Sequence, residues 1–483
     1  MSKHFLWALA CCLFMVGCSD DDLPAGAYDP SQPVVFTDFT PKTGALRTRL
    51  YIQGGNFGTD VSKIHVSVGG VDAKVIGSNG TEIYCMVLAR SYESTNEITI
   101  DGKEYYPGTI KVTIDGADGQ PAAEYSFENP FGYEAKQVVG TLVRNVDEDG
   151  VAGWTFGPFE TASVPANDWM MFDPKYDGTG DRLLFSSNWG NGFWSFNLTT
   201  EEVTRLFPKQ GYDSSQSFTF TADGDTLLWF DDNGVTDSYD KEPNIHYALR
   251  RENFRKLRAY NYGHCTYGGV YMSNGDVFYS SWVNGGIYKM HRKGTIPNID
   301  DQREVCFYLS GQTQIDGAHT KMELHPSEKY VYMHCSQRGV IMRADYNESD
   351  GLLHFTRVVA GSFSATGCTE GVGQLARFDQ PWAGIFVHNP DYVGTRPDGD
   401  EYDYYFIANN NHCIWKLTPD GVATIVAGRS NYTADQKYDG YIDGDPLLEA
   451  RFKNPKGLAY DELNETWYIG DNGNSALRYM RVE

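Results

Sequence analysis

Basic side chains are in short supply in this sequence. Against 64 Asp and Glu stand 40 Lys and Arg, and the formal charge is −24. Nucleic-acid binding rests on neutralising phosphates with Lys and Arg, so no nucleic-acid partner is expected. Attraction to an anionic membrane surface is not expected either. Long apolar runs are also missing. Past the N-terminal leader nothing approaches the ~20 apolar residues of a membrane-spanning helix, so no transmembrane segment is expected. Cysteine is sparse after Cys18: Cys85, Cys265, Cys306, Cys335, Cys368 and Cys413 are widely spaced, with no C-x-x-C pair. That spacing excludes a zinc ribbon or finger. Because most of these residues sit in or beside apolar runs, buried free thiols are favoured over a disulfide framework. Apolar patterns of helical period are absent as well. What is present is 51 Gly and 14% aromatic residues, in short β-prone runs separated by Gly, Asn and Asp. That mixture predicts a nearly all-β protein, and 483 residues predict two or more domains.

The leader is distinctive. Lys3 and His4 precede a short apolar run, Phe5 to Val16, and then Gly17-Cys18 gives way to Ser19-Asp20-Asp21-Asp22. A run that short reads as the apolar region of a signal peptide, residues 1–17. Val16-Gly17-Cys18 resembles the end of a bacterial lipobox, with Met15 where Leu is usual. The resemblance implies that Cys18 carries lipid. The acidic run after it resembles the signal that sends lipoproteins of the Bacteroidota to the outer cell surface. The expected location is therefore the outer membrane, lipid-anchored and facing the exterior, with contact to the membrane through the lipid alone. Residues 18–32, with Pro24, Gly26 and Pro30, read as a lipidated tether.

Residues 33–128 carry strand-like runs at Val34–Phe39, Arg49–Gln53, Ile64–Val68, Ala73–Ser78, Glu82–Leu88 and Ile110–Ile114. Pro41-Lys42-Thr43-Gly44, Gly54-Gly55-Asn56-Phe57-Gly58 and Val68-Gly69-Gly70-Val71-Asp72-Ala73-Lys74-Val75 follow in order. Together they resemble the IPT/TIG family, which implies an immunoglobulin-like β-sandwich serving as a spacer or interaction module.

From residue 131 to 483 the rhythm changes. Ala376-Arg377-Phe378-Asp379-Gln380-Pro381 returns as Ala450-Arg451-Phe452-Lys453-Asn454-Pro455, an offset of 450 − 376 = 74 residues. Each copy leads into three successive strand-like runs. This arrangement resembles the NHL repeat, a propeller blade. Weaker copies upstream place first strands near Trp169, Phe218, Val270, Met322, Ile385 and Leu458, which predicts a six-bladed β-propeller. The last blade stops at Glu483 after its third strand. Ala135–Gly140 is expected to supply the fourth and close the ring, leaving no open edge.

In such a propeller, the loops leading into innermost strands and those between second and third strands share one face. That face gathers Trp189, Trp282, Trp382, His264, His319, Asn411, His412 and Asp471 as candidate ligand-binding residues. Indole faces stack on sugar C–H surfaces, and Asn and Asp pair with hydroxyls; the same Asn and Asp residues also suit turns. The expectation is an extracellular glycan or oligosaccharide partner in polysaccharide capture, with an outer-membrane uptake complex as a further partner. No cofactor is expected under this reading. His264 and His319 enter adjacent blades at equivalent places, and with His412 or His334 they keep a divalent metal open. A metal-assisted polysaccharide lyase or hydrolase is therefore the competing reading, and a protein-interaction propeller the third. No catalytic residue is identifiable.

Overall fold

The computed structural model describes residues 26–45, 48–88, 97–116, 121–148, 150–208, 215–232, 244–261, 265–290, 303–313, 319–428 and 438–483. Signal peptide, Cys18 and His264 lie outside them. The chain divides into two compact units, the first ending at Lys136 and the second spanning Gln137–Val482. Among the described residues the one α-helix is the short Leu309–Thr313. None is long and apolar enough to cross a membrane.

In the first unit, Val35–Thr40, Arg49–Gly55, Glu82–Met86 and Lys74–Ser78 form one sheet, and Pro121–Ser126, Ile110–Asp115, Ile64–Val68 and Val71–Asp72 form a second. Alternation along the strands turns Leu50, Ile52, Ile83 and Cys85 inward to meet Ile64, Val66, Ile110 and Val112 in one core. Gly54 has a steric reason: a Cβ there would lie 2.0 Å from the Val35 carbonyl. Two expected boundaries move. The last part of the supposed tether is held by Asn56, whose Oδ1 accepts from the Asp29 amide at 2.7 Å and whose Nδ2 donates to the Asp29 and Gln32 carbonyls at 2.8 Å. Residues 131–133 are not part of the propeller. Phe131 pairs with Gly108 and Tyr133 with Tyr106 in a small third sheet, both rings are buried, and the Tyr133 hydroxyl donates to the Val68 carbonyl.

The second unit is a six-bladed propeller. Its innermost strands are Trp169–Phe172, Ser215–Phe220, Thr266–Tyr271, Thr320–Leu324, Pro381–His388 and Pro455–Asp461, here the first strands of blades one to six. Three antiparallel strands lie outward of the first in blades two to four, and blades one and five add a fourth, the two-residue edge strands Gly157–Pro158 and Gly371–Val372. The sixth has only two of its own, Thr466–Asp471 and Ala476–Val482, and Gln137–Val143 completes it. The closing strand is thus shifted slightly from the expected 135–140, because Val139 and Val143 are the residues that turn inward, at 1% and 3% exposure. Repeat residues Ala376, Phe378, Ala450 and Phe452 are fully buried, and Phe378 meets Phe406 edge-on at 5.0 Å. Ion pairs tie blade to blade: Arg250 grips Asp173 with two hydrogen bonds at 2.6 and 2.7 Å, and Arg182 pairs with Asp461 at 2.9 Å. The six cysteines stand as free thiols.

Candidate functional site

The second residues of five innermost strands form a ring at one end of the propeller axis: Gln216, Tyr267, Lys321, Trp382 and Lys456. In blade one, Asp168 takes the corresponding place just ahead of Trp169. Strand alternation points the same position of every blade toward the axis, so a ring is the consequence of the repeat.

Asp168 organises one side of this mouth. Its carboxylate accepts from Asn188 Nδ2 at 2.8 Å, from the Trp189 amide at 3.2 Å and from Asn472 Nδ2 at 2.6 Å, and it lies 3.3 Å from Lys456 Nζ. Trp189 is therefore fixed by its backbone while its indole stays 57% exposed. Two ammonium groups lie over the Trp382 ring, Lys321 Nζ at 4.6 Å and Lys456 Nζ at 4.2 Å from its centre, each a cation–π contact. Across the mouth, Trp282 Nε1 donates to His319 Nε2 at 2.8 Å, and the Tyr267 hydroxyl lies 3.3 Å from His319 Nδ1. Acceptance at Nε2 assigns the ring proton to Nδ1.

Lys321 closes the axis beneath. Reaching out from blade four, its ammonium donates to the Gln216 carbonyl of blade two at 2.5 Å. It also faces the rings of Trp169 at 5.0 Å, Tyr267 at 5.4 Å and Trp382 at 4.6 Å, in blades one, three and five. Burial presses this amine down to about 7, against the nearby Asp168 carboxylate.

The structure brings Trp189, Trp282, Trp382 and His319 to the mouth but gives them different work. Trp189 presents an open ring. Trp282 is tied to His319, and Trp382 is partly buried against the aromatic core of blades one and two. Three other candidates belong to the framework. Asn411 accepts from the Asp379 amide and donates to the Gly367 carbonyl, using both ends of its amide. His412 adopts a left-handed turn at φ 58° and accepts from the Asn454 amide. Asp471 is fully buried, bonded to Arg478 at 2.9 Å, to Asn474 and to the Lys453 amide, with burial raising it to about 6. These polar turns stitch strands together, as Asn and Asp commonly do. His334 is buried against the Tyr404 hydroxyl, and its imidazole is driven down to about 3 by burial. Among the described residues no group of three or more His, Cys, Asp or Glu comes together as a metal-holding cluster. Lys321 and Lys456 belong to the same ring but are not among the residues that the sequence singles out. The signal was in the repeat itself, since Lys456 stands where Trp382 stands one repeat earlier (456 − 382 = 74).

Residues 33–128 match the IPT/TIG domain family. No curated protein matches the chain. Among crystal structures, an auxiliary nutrient binding protein from Bacteroides thetaiotaomicron VPI-5482 is 30% identical, with 95% of this chain and 100% of that one covered and a TM-score of 0.71. An auxiliary nutrient binding protein from Bacteroides ovatus ATCC 8483 is 27% identical over 95% and 100% of the two chains, with a TM-score of 0.65. A further B. thetaiotaomicron protein, which carries a provisional phosphatase name, is 26% identical over 95% and 99%, with a TM-score of 0.66. The chain belongs to the family of the first of these Bacteroides proteins, and consists of an IPT/TIG domain followed by a six-bladed β-propeller.

Proposed function

We propose that this protein captures an extracellular glycan at the propeller mouth, from a lipid anchor at Cys18 on the outer face of the outer membrane. The observation that carries the reading is Trp189: its amide is pinned to buried Asp168 while its indole is 57% exposed. A rigidly held, open indole is a stacking platform for the C–H face of a sugar ring. Asn188 and Asn472, whose amides are committed at both ends to Asp168, Asn191 and the Asn167 amide, hold the platform in place. The names of the B. thetaiotaomicron and B. ovatus relatives support nutrient capture. Val16-Gly17-Cys18 and Asp20-Asp21-Asp22 support the surface address, and delivery to an outer-membrane uptake complex follows from that address. The metal-assisted lyase or hydrolase draws less support, since His319 would have to give up the Trp282 N–H to ligate a metal.

A glycan array followed by calorimetric titration of the parent and Trp189→Ala tests the proposal. The parent is expected to bind an oligosaccharide, and Trp189→Ala to lose it with its melting temperature unchanged. Equal binding by the two proteins, or no binding by the parent, sinks the reading.

A further inference from the structure

Beyond Lys321, toward the far ends of the innermost strands, the axis opens into a cavity of about 230 Å³. Five blades wall it, through Trp169, Phe218, Thr219, Tyr271, Glu323 and Ile385 among others. Among the described residues that line it, Glu323 contributes the one carboxyl. It lies two residues after Lys321, so both side chains point to the axis, yet they do not pair: the ammonium is committed to Gln216 and three rings. Glu323 Oε1 is closed off from solvent and has no hydrogen-bond partner. Burial outweighs the Gly384 amide and the Lys321 charge and holds this carboxyl well above the usual carboxylate range. A neutral carboxylic acid can both donate and accept, which matches a hydroxyl and not an ion. The volume falls just below the ~300–1,000 Å³ of sites for drug-sized molecules, which suits one ring and not a chain.

We propose that this axial cavity is a second ligand site, taking one neutral, monosaccharide-sized polyol with hydroxyls on Glu323 and its C–H surface against Trp169, Phe218 and Ile385. The site lies on the other side of Lys321 from Trp189, and the inference does not depend on the mouth binding a glycan.

The test is titration of the full chain with glucose, galactose, mannose, xylose and N-acetylglucosamine, followed by saturation-transfer NMR. At least one sugar is expected to bind the parent and Trp189→Ala alike. Glu323→Leu, which replaces the acid with an apolar side chain, is expected to weaken that sugar at least tenfold, and Ile385→Trp, which fills the cavity, to abolish it. Melting curves establish that each variant is folded; if Glu323→Leu is not, Ile385→Trp decides. The proposal is overturned if no sugar of the panel binds at high millimolar concentration. It is equally overturned if binding survives in both axial variants, or is lost only in Trp189→Ala.

Discussion

Lys321 Nζ and the Gln216 carbonyl oxygen meet across the propeller axis at 2.5 Å, joining blade four to blade two. One side chain thereby separates the mouth from the cavity beyond and replaces water with three aromatic faces. It holds a titratable amine where solvent does not reach.

Stability should depend on pH through this lysine. Its amine is lowered from 10.5 to about 7, so the unfolded chain binds the extra proton between those values. Stability should therefore rise with pH across that window and be lost as pH falls from 10.5 to about 7, by an amount on the order of 5 kcal/mol. Lys321→Met should flatten that rise. Chemical denaturation of both proteins from pH 6 to pH 10 checks it; parallel curves refute the assignment.

The closing strand predicts a second outcome. Removing residues 137–143 exposes the edge of Ala476–Val482 and withdraws Val139 and Val143 from the core. A loss of several kcal/mol is expected from the bared edge and the lost burial, at about 25 cal/mol per Å². Calorimetry on the shortened chain reads it as a lower melting temperature; an unchanged one argues against the staple.

Trp189 and Trp382 should separate on truncation. Trp189→Ala touches an exposed ring and should stay within about 0.5 kcal/mol of the parent. Trp382→Ala removes a ring in contact with two lysines and packed against the core, and should cost about 3 kcal/mol. Urea melts of the two variants distinguish them.

Arg478 supports Asp471 from within blade six. Both are fully buried, and Arg478 also bonds Asp443 and the Ile442 carbonyl. Arg478→Leu leaves Asp471 without its cation and should cost about 3–5 kcal/mol. Partial rescue by Asp471→Asn in the double variant is the diagnostic result; additive losses would show that the two do not act as a pair.

For the anchor, Cys18→Ala should release the protein from the membrane fraction. Changing Asp20, Asp21 and Asp22 to Ala should keep it membrane-bound but hide it from protease added to intact cells. Undiminished cleavage of that triple variant removes the surface signal from the account.

The sequence by itself determined the number of blades, the supply of the last strand from the N-terminal side, and the IPT/TIG domain. Each of these is written in local pattern: Ala-Arg-Phe returning after 74 residues, a last repeat that holds three strand-like runs where the others hold four, and the Pro41–Gly44, Gly54–Gly58 and Val68–Val75 motifs in order. Only the tertiary structure decided what the polar and aromatic residues do. Asn411, His412 and Asp471 have the composition of a binding face, but their partners are amides, carbonyls and an arginine brought near by strand pairing. Trp189, Trp282 and Trp382 are the same residue type at the same end of the propeller, the first two in turns and the third in an innermost strand. Their burial differs because exposure is set by what neighbouring blades place beside them, which no single stretch of chain encodes. Nothing in the sequence around Lys321 marks it out until six blades close and put its ammonium on the axis, where burial and three aromatic rings replace water.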